Sequence, residues 1–283
     1  MQVLDDSRIN PVVESLHHDN AKIIWAMGSK NRVSTVGHST RPVIGLNTEI
    51  MVLGDKERLY AFVPHLQPLT FLGKPPTNPD HPYLKDSCGY YEKPATGSCG
   101  RGIVYHPPGT FLIDQWENPG YILQQEVPCT LKDGYKFDIR LWVALCESKK
   151  FWIAPSAMAR VCLFKDTSMS AHITNLSYCS STSSSSVETI RQDFEESGKI
   201  YKKAKRCAKL FCTILQKRID TTVLKRPFLW TLVGMDIAVD RFSGLPWLLE
   251  INTAPTFDGD HHSPWFVLYR KWLCSLLEHI HSF

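Results

Sequence analysis

Residues 234–255 read "GMDIAVDRFSGLPWLLEINTAP". Two apolar runs are joined by a turn around Arg241–Pro246, which predicts adjacent core strands. The second run is unusual: Leu248, Leu249 and Ile251 are interleaved with Glu250 and Asn252, while Asp236 and Asp240 lie on the strand before it. A buried ionised carboxylate costs several kcal/mol unless it is paired or binds a metal. Period-two alternation puts Glu250 and Asn252 on one face, and Asp236 joins them from the neighbouring strand. Three oxygen donors converging in this way suit Mg²⁺, which keeps its own waters and takes phosphate oxygens for the rest. An edge strand with one wet face is the alternative, and Leu248, Leu249 and Ile251 weaken it. Asp240 reads as a turn residue.

Two upstream stretches match this acidic face in chemistry. In "KFDIR" (136–140), alternation places Lys136, Asp138 and Arg140 on one side of a strand and Phe137 and Ile139 on the other. Such a charged face is most often solvated, but it also suits a polyanion. In "EKPATGSCGRGI" (92–103), Gly97, Gly100 and Gly102 free the backbone to approach a ligand, and Lys93 precedes them. Neither GxxxxGK[ST] nor GxGxxG is present, and a glycine-rich turn alone is most often a hairpin turn. Together, a phosphate loop, a cationic strand and an acidic metal face describe a site for ATP with magnesium.

The rest of the chain sets bounds. With 283 residues there is enough chain for one large domain or two lobes. The formal charge of +4 is too small to mark a dedicated nucleic-acid binder. Nine cysteines without a CxxC pair argue for reduced thiols rather than a disulfide framework or zinc knuckle. No apolar segment approaches the roughly 20 residues needed to cross a bilayer, so a soluble, cytoplasmic protein is expected. "GKPPTNPDHP" (73–82) marks a break after a leading segment that holds no obvious catalytic constellation. "YKFDIRLWVALCES" predicts a core strand, with "KKFWIAPSAMARVCLF" as its antiparallel neighbour. The serine run 180–188 is low-complexity. The pattern turns helical from Val187 to about Ile219, with a basic face at Lys199, Lys202, Lys203, Lys205, Arg206 and Lys209, and a last helix is expected over about 263–280. Mixed elements in this order predict α+β lobes around a cleft.

The blocks "KP...G.GRGI", "KFDIR.WV", "HITN" and "G.DI..D...PWLLEIN..P" occur in the order found in the tubulin–tyrosine ligase-like family, and from about Pro64 onward the chain resembles it. The resemblance implies an ATP-grasp fold, in which two lobes with antiparallel sheets clamp ATP. By that likeness 1–70 forms a reduced N-terminal lobe and 71–283 the catalytic region, divided into a central lobe of about 71–130 and a C-terminal lobe of about 131–283. It also implies that Lys93 and Lys136 contact the phosphates beneath the Gly97–Gly102 loop. Gln124 and Gln125 lie where the hinge strand meets adenine. Asp236, Glu250 and Asn252 hold magnesium, which answers the question of the buried carboxylates. Asp138, Arg140, Arg160, His172, Thr174 and Asn175 fall where nucleotide and substrates bind, with Arg140 and Arg160 stabilising charge in the reaction.

The activity implied is carboxylate activation: a protein carboxylate is phosphorylated and then attacked by the amine of a free amino acid. The acceptor is tubulin or another protein with an acidic tail; no nucleic acid or membrane is involved. Glutamate, tyrosine and glycine are the amino acids such proteins add, and glutamate is put first because that branch is the largest. The basic helical face is ordinarily a solvated one, yet it could also steer acidic tails. Two departures bear on activity. The family's leading-lobe lysine is missing from the corresponding "IGLNTEIMVLG" (44–54), and Pro155-Ser156-Ala157 replaces a common Arg-Glu-Gly. A catalytically weak binding relative and a small-molecule ATP-grasp ligase are the rival readings.

Overall fold

A computed structural model describes residues 24–25, 43–45, 47–75, 88–97, 100–109, 116–129, 131–132, 134–146, 148, 150–161, 192–194, 198–218, 229–253, 255 and 264–282. The strands are β1 (Ile24–Trp25), β2 (Val43–Ile44), β3 (Thr70–Phe71), β4 (Tyr90–Pro94), β5 (Val104–His106), β6 (Tyr121–Gln125), β7 (Leu131–Lys132), β8 (Tyr135–Cys146), β9 (Phe151–Ile153), β10 (Ala157–Val161), β11 (Gln192–Phe194), β12 (Leu229–Val239) and β13 (Pro246–Asn252). The helices are α1 (Thr48–Met51), α2 (Lys56–Phe62), α3 (Lys199–Arg218) and α4 (Pro264–His281).

Among the described residues the strands form two sheets. A four-stranded sheet runs β3-β6-β4-β5, all antiparallel. A nine-stranded sheet follows the order β1-β2-β12-β8-β10-β11, with β13 beside β12 and β7 and β9 beside β8. Its centre is β8 and β12, long strands with both faces largely buried, as their near-continuous apolar runs require. The two strands of the leading segment extend this sheet: β1 pairs with β2, and β2 with the start of β12, both in parallel.

The expected neighbour of β8 is present but broken. Both β9 and β10 lie antiparallel along β8, and the register steps at Ala154–Ser156. Pro155 has no N–H to donate to the ladder, so the strand bulges there. Ser156 takes up a packing role instead, its Oγ accepting the Trp272 indole N–H at 2.8 Å. Trp142 stacks on Tyr269 at 4.7 Å, and Trp152 donates to Ser275 Oγ at 3.3 Å, so aromatic rings and serines pin α4 to the sheet.

The helix expected from Val187 begins later. Residues 192–194 instead form β11, which pairs antiparallel with β10, and α3 starts at Lys199. Edge pairing overrides the local helical pattern, and Gly198 separates the two elements. Tyr201, Ala204, Ala208, Phe211 and Leu215 then recur at helical spacing and bury one face of α3 in the core. The last helix falls where expected. Among the described residues no helix is long and apolar enough to cross a membrane.

Candidate active site

Strand register builds the site. Asp236 on β12 stands directly opposite Arg140 on β8 and Glu250 on β13, giving a row Glu250–Asp236–Arg140 across three strands. Two positions along β8, on the same face, Asp138 is faced by Arg160 on β10. A bulge between Asp236 and Ile237 leaves Leu249 as the extra residue of β13, at the point where the hairpin must aim Glu250. Gly234 makes room for the row: a Cβ there would lie 3.0 Å from Arg140 Cδ.

The charges alternate and are tightly bonded. Arg160 donates from Nε to Asp138 Oδ1 at 2.7 Å and from Nη2 to Oδ2 at 2.6 Å, and its Nη2 also lies 2.8 Å from Asp236 Oδ2. Arg140 completes a fork on Asp236, with Nε at Oδ1 and Nη2 2.9 Å from Oδ2. Burial alone would raise the Asp236 carboxyl, but the two guanidinium groups outweigh it and hold it well below the usual carboxylate range. Arg160 is likewise pushed up by Asp138 and Asp236 against the effect of burial.

Glu250 is the exception. Burial and the facing Asp236 carboxylate both raise its pKa, and Lys56 and Arg160 offset this only in part. Asn252 Nδ2 reaches Asp236 Oδ2 at 3.1 Å and Glu250 Oε1 at 3.5 Å. The Glu250 side chain keeps 28% of its surface accessible. A carboxylate facing a carboxylate, with an amide beside them and one side open, is a donor set that fits a hard divalent cation. Among the described residues no three His, Cys, Asp or Glu cluster as a metal site, and the third polar group beside Asp236 and Glu250 is the amide of Asn252.

One lysine approaches from the other sheet. Lys93 on β4 donates to Gln124 Oε1 at 2.7 Å, and Gln124 in turn donates to Thr70 Oγ1 at 3.2 Å. Burial lowers the Lys93 pKa to about 8, against the pull of Glu250, Asp138 and Asp236. Gln124 is thus spent on placing Lys93, and Gln125 projects from the opposite face of β6. Lys136 pairs with Glu126, which also accepts from Tyr105 Oη at 2.7 Å. Gly97, Gly100 and Gly102 take positive φ, 129°, 69° and 73°, a region that favours glycine. His172, Thr174 and Asn175 lie outside the described residues.

The leading segment does bring a lysine to the acidic row, although the 44–54 stretch itself holds none. Lys56, two residues beyond the 44–54 stretch, is 6% exposed, with Nζ 3.9 Å from Glu250 Oε2 and 3.3 Å from Gly97 O. Asp55 caps α2 by accepting from Arg58 N at 3.0 Å, and Lys56 N donates to Ala95 O at 2.9 Å, which fixes the first turn against β4. The available signal was "DKERL": a lysine in the first turn of a helix opposes the helix dipole, so its place there needs another reason.

Comparison with known proteins bears on this geometry. A family model described as YheC/D-like ATP-grasp matches residues 109–279. The chain belongs to this ATP-grasp family. Tubulin polyglutamylase TTLL7 of Homo sapiens is 26% identical over 213 residues, covering 59% of this chain and 22% of that protein. The Mus musculus protein of the same name is 26% identical over 214 residues with the same coverage. The chain therefore spans 22% of the length of either relative. The ATP-grasp fold and a tubulin–tyrosine ligase-like relationship stand as expected from the sequence.

Proposed function

We propose that the chain is an ATP- and magnesium-dependent ligase that joins an amino acid to a protein carboxylate. The observation that carries this reading is the Glu250–Asp236–Arg140 row with Lys56 and Lys93 converging on its acidic end. Here Asp236, Glu250 and Asn252 would hold magnesium, which supplies charge neutralisation at the phosphates. Lys56 and Lys93 bind phosphate oxygens beneath the Gly97–Gly102 loop, a glycine-rich turn of the kind that cradles anions. Each of Arg140 and Arg160 is oriented by an aspartate and stabilises the charge on the transferring phosphoryl group and the tetrahedral intermediate. The acceptor carboxylate takes the terminal phosphoryl group, and the amine of a free amino acid then displaces phosphate from the acyl phosphate to give an amide. No enzyme nucleophile is needed, in keeping with Cys129 and Cys207, whose thiols burial pushes up to about 12.

Both relatives are named tubulin polyglutamylases, which supports glutamate as the added amino acid, tubulin as the acceptor and a cytoplasmic, cytoskeleton-associated setting. The test is incorporation of labelled glutamate, tyrosine or glycine into purified tubulin with MgATP, beside a Glu250→Gln control. Label from glutamate that vanishes in the control is the expected result. ADP formation without any protein acceptor would point to a small-molecule ligase, and nucleotide binding without consumption to a binding relative.

A further inference from the structure

The sequence of α3 holds six lysines and two arginines and no acidic residue. Among the described residues none of Lys199, Lys202, Lys203, Arg206, Lys209 and Lys217 has an ion-pair partner. Lys202, Lys203, Arg206 and Lys209 are exposed, and at 100° per residue they share the outward side with Leu210, itself 49% exposed. At the N-terminal end of this stripe stands the β12–β13 turn, where Phe242 is 77% and Leu245 54% exposed. The two are contiguous: a Cβ at Gly244 would lie 2.5 Å from Lys203 Nζ. Arg241 adds a further cation over the Phe242 ring at 4.6 Å.

We propose that the outward face of α3 and the β12–β13 turn form a docking site for an acidic polypeptide segment carrying an apolar side chain. The stripe and turn share no residue with the Glu250–Asp236–Arg140 row, and the proposal stands independently of the ligase reading. Charge complementarity selects an acidic partner, since uncompensated like charges along one helix repel each other and gain from a polyanion. Lys199 to Lys217 spans about 27 Å of helix, the length of roughly eight extended residues. The exposed Leu210, Phe242 and Leu245 select a polypeptide over a nucleic acid, which has no aliphatic side chain to offer them. The apolar face of α3 is already buried in the core, so the helix cannot lie in a membrane interface as amphipathic anchors do.

The experiment is fluorescence anisotropy of the full chain with a labelled decaglutamate and with the same peptide carrying a central leucine. The leucine peptide is expected to bind more tightly, with affinity that falls as salt rises and is unchanged by excess MgATP. The triple variant Lys199→Glu/Lys203→Glu/Arg206→Glu should weaken binding by about tenfold or more, and Phe242→Ser by about threefold, with MgATP binding retained as the control for folding. Should the triple variant not fold, Lys203→Gln and Phe242→Ser decide the matter. The proposal is overturned if neither peptide binds at low salt, if the variants bind as the wild type does, or if ATP displaces the peptide. Tighter binding of a single-stranded RNA or of phosphatidylserine vesicles at equal ionic strength would overturn it too. A chain inactive as a ligase that still binds the peptide leaves it intact.

Discussion

The central sheet and helix α3 hold charge in opposite ways. On the sheet, Asp138, Arg160, Asp236 and Arg140 alternate in sign, are mostly buried, and each is bonded to the next. On α3 the charges are of one sign, and the stripe at Lys202, Lys203, Arg206 and Lys209 is exposed and has no ion-pair partner among the described residues. Burial makes the first set costly to disturb, because removing one partner strands a charge in a medium that cannot solvate it. Water makes the second set nearly neutral for stability and leaves it available for binding. The site's strength thus lies in its pairing, and Glu250, raised by burial and Asp236, is the less well paired carboxylate of the row, where a cation has something to gain.

The contrast can be broken most severely at Asp236. Asp236→Asn strands Arg140 and is expected to cost about 3–5 kcal/mol in urea unfolding. Glu250→Gln should behave differently, lowering ATP turnover at least about 100-fold while leaving the unfolding midpoint unchanged or higher, because the amide relieves repulsion from Asp236. A midpoint that drops as it does for Asp236→Asn would put Glu250 among the paired charges. Gly234→Ala, which forces Arg140 to shift, is expected to cost about 1–3 kcal/mol, and an unchanged midpoint would show that the arginine has room to spare.

A smaller effect sharpens the electrostatics. With Lys93 at about 8 in the fold and its ordinary value higher, the native state binds fewer protons than the unfolded one between these two values. Its burial penalty is therefore full below pH 8 and fades as pH rises toward the ordinary lysine range, about 10.4. Nucleotide binding runs the other way: it needs the charged amine, so affinity should fall by up to about tenfold per pH unit above 8, and Lys93→Met should flatten that dependence in calorimetry. Least of all, a single Lys→Gln change on the exposed stripe of α3 should move stability by no more than about 0.5 kcal/mol.

Much of this site was legible in the sequence because strands translate spacing directly into facing. Glu250 and Asn252, two apart, share a side, and Asp138 and Arg140 do the same, so the acidic and basic faces could be read before any coordinates. Which residues pair across strands could not, since register depends on how far the pairing steps at Ala154–Ser156 and on the bulge at Leu249, neither of which spacing alone fixes. Lys56 went unseen because its role comes from a long-range contact with Gly97 and Glu250, far from it in sequence. The start of α3 was misread for a related reason. Residues 192–194 take their conformation from β10, a partner more than thirty positions away.

Lys56 also changes how the chain can be divided. It ties the glycine loop to Glu250, so the leading segment, the small sheet and the large sheet all contribute to a single site. The stretch shared with the family, 109–279, contains Asp236, Glu250 and both arginines but neither Lys56 nor Lys93 nor the loop between Gly97 and Gly102. An expression fragment cut to that stretch would keep the carboxylates and arginines of the site and lose Lys56, Lys93 and the glycine loop. The smallest piece of this chain worth assaying begins upstream of β2.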